Sequence, residues 1–142
     1  MADNFTKSKR SDIMSRISGK ETKPEILVRK YLFSKGFRYR KNVKELFGKP
    51  DIVLPKYKTI IFIHGCFWHG HEGCKKSALP TTNIDFWREK IGKNIARDRF
   101  CIGELEKQDW KVIVVWQCEL RTIALRNSRL EKLILEITDE RN

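Results

Sequence analysis

The chain has 142 residues, of which 34% are charged and 40% hydrophobic, and its formal net charge at pH 7 is +12. This length suits one domain with one hydrophobic core. Its apolar runs are shorter than the roughly 20 residues of a membrane-spanning helix, and the first ten residues lack the apolar segment of a secretory signal. We therefore expect a cytoplasmic protein without membrane association, whose basic charge favours a polyanion as partner.

Residues 1–20 are rich in basic side chains and poor in apolar ones. We interpret them as a basic N-terminal arm in front of a domain that spans residues 21–142. A solvated tail explains this composition as well as an arm that grips DNA. The spacing of Thr22-Lys23-Pro24-Glu25 is that of a capping box and predicts a first helix that runs to Gly36, with Glu25 in its first turn.

Three strands are predicted in the following segment. Apolar and basic residues alternate over Phe37–Arg40, which indicates a half-exposed strand. Two β-branched runs, Asp51–Leu54 and Thr59–His64, flank a short turn and predict an antiparallel hairpin. Such a hairpin places the start of its first strand beside the end of its second, so Asp51 and His64 should be neighbours.

The second half of the chain predicts two helices and a strand. Asp85–Lys107 shows apolar residues near helical spacing with basic residues between them, which indicates a long basic helix. Lys111–Trp116 is apolar on both faces after its first residue, as in a strand covered on both sides. Ser128-Arg129-Leu130-Glu131 has the spacing of a second capping box before a packing helix. The order of elements predicts a single α/β domain, a mixed sheet flanked by helices.

Every histidine of the chain and two of its four cysteines lie between His64 and Cys74. Three thiolates and one imidazole form a closed tetrahedral set that suits structural zinc. The candidate ligands are Cys66, Cys74 and Cys118 with either His71 or His69, which spacing alone does not separate. Thiols that are merely buried are the simpler alternative, and Cys101 is interpreted as a small buried hydrophobe.

A zinc ion with four protein ligands has no open position for substrate, so hydrolysis would need other residues. Asp51, directly after Pro50, can offer a carboxylate to Mg²⁺. Hydrolysis of a phosphodiester also needs a base that takes a proton from water and positive charge that meets the developing oxyanion. His64 and His69 can supply both. Glu25 can orient one histidine or reach a metal-bound water, although its capping-box position explains it equally well.

One sequence motif is highly specific. The run Phe62-Ile63-His64-Gly65-Cys66-Phe67-Trp68-His69 resembles the very short patch repair endonucleases. Further residues fit the same pattern, so the resemblance covers nearly the whole chain: Pro50-Asp51, His71, Cys74, Cys118, Glu25 and Met14-Ser15-Arg16-Ile17. The resemblance implies a restriction-endonuclease-like fold and a strand-specific nick in duplex DNA beside a thymine mispaired with guanine, the lesion left when 5-methylcytosine deaminates.

The resemblance also implies a role for individual residues. Asp51 and the backbone oxygen of Ile63 would bind Mg²⁺. His69 would be the general base, assisted by His64 and Glu25. The implied zinc ligands are Cys66, His71, Cys74 and Cys118. The implied DNA contacts are Phe67, Trp68 and Trp87, which would enter the base stack beside the mismatch, with Met14 and Arg16 in the basic arm. From the residues alone, packing on its own helix explains Trp87 equally well.

Partners other than DNA are implied only by the resemblance, which suggests mismatch-repair proteins. A single mismatch is asymmetric and requires no dimer, so we expect a monomer. Two alternatives stay open at this stage. The first is a zinc-stabilised DNA-binding module without catalysis. The second is a nuclease of the same fold with a different DNA target, because fold does not fix the target and base readout is not legible in the sequence.

Overall fold

The computed structural model describes residues 23–139, along which three helices and four strands are found. In chain order they are α1 (Lys23–Ser34), β1 (Arg40–Lys41), β2 (Ile52–Leu54), β3 (Thr59–His64), α2 (Ile84–Lys107), β4 (Lys111–Trp116) and α3 (Ile123–Thr138). Short 3₁₀ turns lie at Pro55–Tyr57, Lys75–Ser77 and Gln117–Leu120. The predicted order of elements is confirmed. Within this part of the chain no helix has the length and apolarity needed to cross a membrane.

The strands form one mixed sheet in the order β1-β2-β3-β4. The β1–β2 and β2–β3 pairs are antiparallel, and β3 runs parallel to β4. The predicted hairpin is confirmed, with Ile52 opposite Ile61, so that Asp51 directly precedes β2 at the end of the sheet where β3 ends. In the parallel pair, His64 lies beside Trp116. The last residues of β3 and β4 therefore lie side by side at the same end of the sheet.

Helices cover both faces of the sheet. On one face, Ile61 and Val115 lie in a core shared with α1 and α3. On the other face, Ile60 lies in a second core with Leu105 of α2, and Val112 packs against it. Because its alternate residues pack into different cores, β4 is covered on both sides, as predicted.

The bounds predicted for the first strand, Phe37–Arg40, are wrong, because only Arg40 of that run is in a strand. Gly36 adopts a left-handed φ of 90°, and α1 ends there in a Schellman motif. The amide of Phe37 donates to the carbonyl of Leu32 at 3.0 Å, and both side chains join the first core. Phe37 is thus apolar because it packs against the end of α1. The alternation of apolar and basic residues over Phe37–Arg40 is therefore not that of a strand.

The second capping box is also wrong. α3 begins at Ile123, and the hydroxyl of Thr122 accepts a hydrogen bond from the amide of Leu125 at 3.2 Å. Ser128 lies inside the helix. A hydroxyl residue three positions before Glu131 fits the pattern of a helix start, but the helix is capped six residues earlier by a different hydroxyl, that of Thr122. The proposed first capping residue, Thr22, lies outside the described residues.

Candidate active site

A cleft of about 910 Å³ lies where the start of β2, the end of β3 and one side of α2 meet. Basic side chains line it from two directions, Lys49 from the loop before β2 and Lys90 and Arg97 from α2. The four predicted catalytic residues all line this one cleft: Glu25, Asp51, His64 and His69. The structure therefore brings together residues that are up to 44 positions apart in the sequence.

Asp51 is held against the end of β3. Its Oδ2 accepts a hydrogen bond from the amide of Ile63 at 2.7 Å. Burial raises the pKa of the Asp51 carboxyl, while the Ile63 amide, a side-chain contact with Glu25 and the charge of His69 lower it. The half-buried carboxyl of Asp51 beside the buried carboxyl of Glu25 favours a nearby cation, which would offset the cost of keeping both ionised.

The contact with Asp51 also shows which way the backbone of Ile63 faces. Its amide donates to the Asp51 carboxylate at 2.7 Å. The amide and carbonyl of one strand residue point to the same side of the strand. The Ile63 carbonyl therefore points to the side that carries Asp51. A carboxylate and a carbonyl oxygen together fit Mg²⁺, which takes oxygen ligands.

His69 is paired with an acid on α2. Its Nδ1 lies 2.7 Å from Oδ2 of Asp98. A carboxylate only accepts hydrogen bonds, so Nδ1 carries the proton in this contact and the remaining nitrogen, Nε2, can accept one. Asp98 was not predicted from the sequence. The sequence offered one indication of its position: Asp98 lies three residues after Ile95 and so on the same side of α2. In the structure that side faces the loop, because Ile95 packs against Gly70.

His64 is almost fully enclosed, with 5% of its surface exposed. Its ring stacks on that of His69, with centroids 3.8 Å apart and an interplanar angle of 2°. Burial lowers the pKa of His64 to about 4, with a smaller contribution from His69, so the ring is neutral at pH 7. His64 therefore offers a neutral imidazole to its neighbours.

The cysteines predicted as zinc ligands form a cluster of their own, and none of them lines the cleft. One ligand atom from each of four residues lies within 4.8 Å of the others: Cys66, His71, Cys74 and Cys118. The histidine in this group is His71, whose Nδ1 lies 3.4 Å from Sγ of Cys118. His69 instead joins a second group with His64 and Asp98. The structure thus separates the two histidines that spacing could not: His71 lies with the cysteines, and His69 lies with His64 and Asp98.

This Cys/His cluster could hold a metal ion. In a tetrahedral zinc site, bonds of about 2.3 Å to sulfur and about 2.05 Å to nitrogen place the two ligand atoms about 3.6 Å apart, close to the distance found here. Burial, and then contact with Cys66 and Cys74, raises the pKa of the Cys118 thiol to about 12. Backbone contacts, Lys76 first, lower the pKa of Cys74. A divalent cation would favour the thiolate forms that such crowding opposes, so the donor set fits zinc.

Three aromatic side chains meet beside the cleft. The ring centroids of Phe67, Trp68 and Trp87 lie 5.2 to 5.8 Å apart in edge-on contacts. Trp68 is 50% exposed, and Phe86 extends the group by an edge-on contact with Trp87 at 5.2 Å. Trp87 belongs to neither hydrophobic core. The three residues therefore form a partly exposed aromatic surface, whereas Met14 and Arg16 lie outside the described residues.

The loop between β3 and α2 is held closely against α2. Gly70 has a left-handed φ of 58°, and a Cβ at this position would lie 2.6 Å from Cδ1 of Ile95 and 2.9 Å from Cγ2 of Ile91. Only glycine fits so close an approach without displacement. The side-chain amide of Asn94 donates to the carbonyl of Trp68 at 2.9 Å. These contacts set the distance between His69 and its partner on the helix.

Comparisons with known proteins agree on one family. The family model described as DNA mismatch endonuclease Vsr matches residues 2–76. The type II nicking enzyme V.NmeAIP of Neisseria meningitidis serogroup A is 60% identical over 139 residues, which cover 98% of this chain and 99% of that protein. The type II nicking enzyme V.XorIIP of Xanthomonas oryzae pv. oryzae is 42% identical over 134 residues, 94% and 98% of the two chains. The DNA mismatch endonuclease Vsr of Escherichia coli (strain K12) is 42% identical over 121 residues, 85% and 77%.

The family model covers more than half of the chain, and these relatives are similar along most of their length. The resemblance noted in the sequence is thereby confirmed, and a DNA-binding module without catalysis is no longer needed to explain the chain. The protein is a DNA endonuclease and belongs to the Vsr family of DNA mismatch endonucleases.

Proposed function

We propose that this protein nicks one strand of duplex DNA beside a thymine mispaired with guanine, in a Mg²⁺-dependent reaction that begins the repair of deaminated 5-methylcytosine. One observation supports this above all: the His69–Asp98 pair and the half-buried carboxyl of Asp51 face the same basic cleft. Two relatives are named as nicking enzymes and one as a mismatch endonuclease, which favours a cut in a single strand at a mismatch.

His69 is the general base of the proposed reaction. Asp98 fixes the ring through Nδ1, so Nε2 can take a proton from the attacking water. His64 stacks on His69 and is neutral, so it adds no charge that would oppose this protonation. The cations along the cleft, Lys49 and Arg97 among them, attract the phosphates and meet the charge that develops on them.

Asp51 and the carbonyl oxygen of Ile63 would hold the Mg²⁺ ion. When bound, this ion supplies a Lewis acid at the scissile phosphate. The amide of Ile63 keeps the Asp51 carboxylate in place, and Glu25 lies next to it as a second acid. Glu25 therefore assists by holding the position and charge of Asp51, in addition to its place in the first turn of α1.

The second metal site is structural. Cys66, His71, Cys74 and Cys118 would hold zinc, which closes the loop after β3 on itself and on the 3₁₀ turn after β4. Because this set has no open position, zinc contributes no step of the hydrolysis.

The aromatic surface recognises the lesion in this proposal. Phe67, Trp68 and Trp87 enter the base stack beside the mismatch. Opening a base step costs a few kcal/mol, and a mispaired step costs less, so insertion helps to discriminate. Met14 and Arg16, in the basic arm of residues 1–20, add DNA contacts.

The domain of residues 21–142 takes the restriction-endonuclease-like fold and acts as a monomer in the cytoplasm. Its mixed sheet with a catalytic acid on the hairpin supports that fold. A single mismatch is asymmetric and requires no symmetric dimer, which favours action as a monomer.

A panel of duplexes tests the proposal. Each duplex is labelled on one strand, carries a T:G pair, another mismatch or a matched pair, and is incubated with Mg²⁺ or with EDTA. We expect one product in Mg²⁺, from the strand that carries the mispaired thymine, and none in EDTA. Equal cutting of matched duplexes, or of every mismatch, would contradict T:G specificity, and products in EDTA would contradict the role of Mg²⁺. Variation of the flanking bases in the same panel identifies the sequence context.

A further inference from the structure

A continuous series of ring contacts joins the Cys/His cluster to the catalytic cleft. His71, a member of the cluster, stacks on Trp116 with centroids 4.0 Å apart and an interplanar angle of 6°. Trp116 contacts His64 edge-on at 5.1 Å and 75°, and His64 stacks on His69. We propose that Trp116 is a positioning residue that fixes His64, and through it the general base His69, relative to the metal cluster. The inference rests on the proposed function, because it assigns a role toward that base.

His64 depends on ring packing for its orientation. Within residues 23–139 its buried Nδ1 has no hydrogen-bond partner, so that nitrogen does not fix the ring. The ring instead lies against three others, with Phe62 tilted at 5.6 Å, His69 stacked and Trp116 edge-on. Of these three neighbours, Trp116 is the one that also contacts the cluster.

Trp116 is itself held from several directions, as a positioning residue must be. Its amide donates to Oε1 of Glu119 at 2.7 Å. Glu119 is paired with the buried guanidinium of Arg129, which also binds Glu136 at 2.7 Å. These ion pairs fasten the end of β4 to α3, while the indole face rests on His71 and the backbone pairs with His64 in the sheet. Trp116 therefore gives the ring of His64 a fixed neighbour.

A purely structural role for Trp116 makes a different prediction. If the indole only fills space beside the cluster, its loss lowers stability or metal content and leaves the reaction rate of the remaining folded protein unchanged. If it positions His64 and His69, its loss lowers kcat even where zinc and DNA binding are retained. Catalytic groups are sensitive to such displacement, since a shift of about 1 Å can cost about 100-fold in rate.

The experiment compares Trp116→Leu and Trp116→Phe with Trp110→Leu. Trp110 is a matched control, because it is the same residue type, lies just before the other end of β4, packs against the second core and contacts Lys58 at 4.3 Å. Zinc content, Tm, KM and single-turnover rate are measured on the full chain with a mismatched duplex. For Trp116→Leu we expect about one zinc, KM within about twofold of the parent and a rate lowered by about 30-fold. Trp116→Phe keeps an aromatic edge and should recover to within about fivefold of the parent. Trp110→Leu should lower Tm and leave the rate unchanged.

Three outcomes would overturn the positioning role. They are a parental rate in Trp116→Leu, a rate loss in Trp116→Leu that matches the loss of zinc, and equal rate loss in Trp110→Leu. If Trp116→Leu does not fold, Trp116→Met decides, because it also lacks an aromatic ring. A parental rate there overturns the inference, and a lowered rate at unchanged KM and zinc content supports it. His69→Ala separates this inference from the proposed function. If it nicks at the parental rate, the proposed base is wrong, whereas an inactive His69→Ala with a fully active Trp116→Leu contradicts only the positioning role.

Discussion

The close approach of α2 to the loop between β3 and α2 gives a quantitative prediction for Gly70→Ala. The substitution has two costs, one from the backbone and one from the new methyl group. An L-residue at a left-handed φ of 58° costs about 1–2 kcal/mol. The Cβ would also lie 2.6 Å from Cδ1 of Ile95, and such overpacking costs about 1–3 kcal/mol more. We expect a total loss of about 2–5 kcal/mol in the free energy of unfolding.

Gly73→Ala is the matched control. Gly73 lies in the same loop with a left-handed φ of 74°, but a Cβ there would meet nothing within 4 Å. Its cost should therefore be the backbone cost alone, about 1–2 kcal/mol. Since 1 kcal/mol corresponds to about 3 °C in a domain of this size, we expect Tm to fall by about 3–6 °C in Gly73→Ala and by about 6–15 °C in Gly70→Ala.

The activity of the two variants should differ in the same direction. To relieve the contact with Ile95, the loop of Gly70→Ala must move away from α2, and this stretches the 2.7 Å contact between His69 and Asp98. A hydrogen bond to a charged group contributes about 1.5–3 kcal/mol, so we expect a decrease of about 10- to 100-fold in kcat. Thermal melts and single-turnover nicking of both variants provide the test. Equal Tm and equal rate for Gly70→Ala and Gly73→Ala would refute the proposed close packing of loop and helix.

Three further predictions concern the carboxylate partner of the base, the metal cluster and the buried histidine. Asp98→Asn removes the charge that holds His69, so nicking should slow by about 10- to 100-fold while DNA affinity is retained, and a parental rate would argue against the pair. Cys118→Ser should lose the bound zinc and unfold the loop, whereas Cys101→Ser, outside the cluster, should keep about one equivalent of zinc. Metal analysis and thiol titration compare the two variants. Equal zinc in both would exclude Cys118 as a ligand. Burial lowers the pKa of His64 from 6.5 to about 4, so the unfolded chain binds a proton first as the pH falls, and stability is lost between these two values. Relative to His64→Gln, the parent should lose about 3 kcal/mol of unfolding free energy from pH 7 to pH 4, and a constant difference in denaturant melts would contradict a buried neutral ring.

Local patterns in the sequence were sufficient for most of the fold. The β-branched runs predicted the β2–β3 hairpin, and the apolar run Lys111–Trp116 predicted β4. These predictions succeeded because the residue types within each strand are enough to indicate that it is buried. The errors fell at helix ends. Phe37 and Ser128 each fit a local pattern, but which hydroxyl caps a helix and where a buried aromatic points depend on tertiary packing.

The candidate site divides in a similar way. The motif identified the histidines and cysteines, but spacing left His69 and His71 equivalent as zinc ligands. The fold separates them through two turns, in which the amide of His69 donates to the carbonyl of Gly65 and that of His71 to the carbonyl of Cys66. Asp98 was missed because helical spacing shows which face of α2 it occupies but not which turn of that face meets the loop.

The most direct test of the catalytic cleft is nicking of a T:G duplex by Asp51→Ala in Mg²⁺, with DNA affinity measured in EDTA. Asp139→Ala is a suitable control, because that acid is exposed at the end of α3, away from the cleft residues. We expect the parent and the control to nick one strand, and Asp51→Ala to give no product while binding the duplex with parental affinity. Nicking by Asp51→Ala at the parental rate would contradict the central claim that this carboxylate and its cleft carry out the hydrolysis.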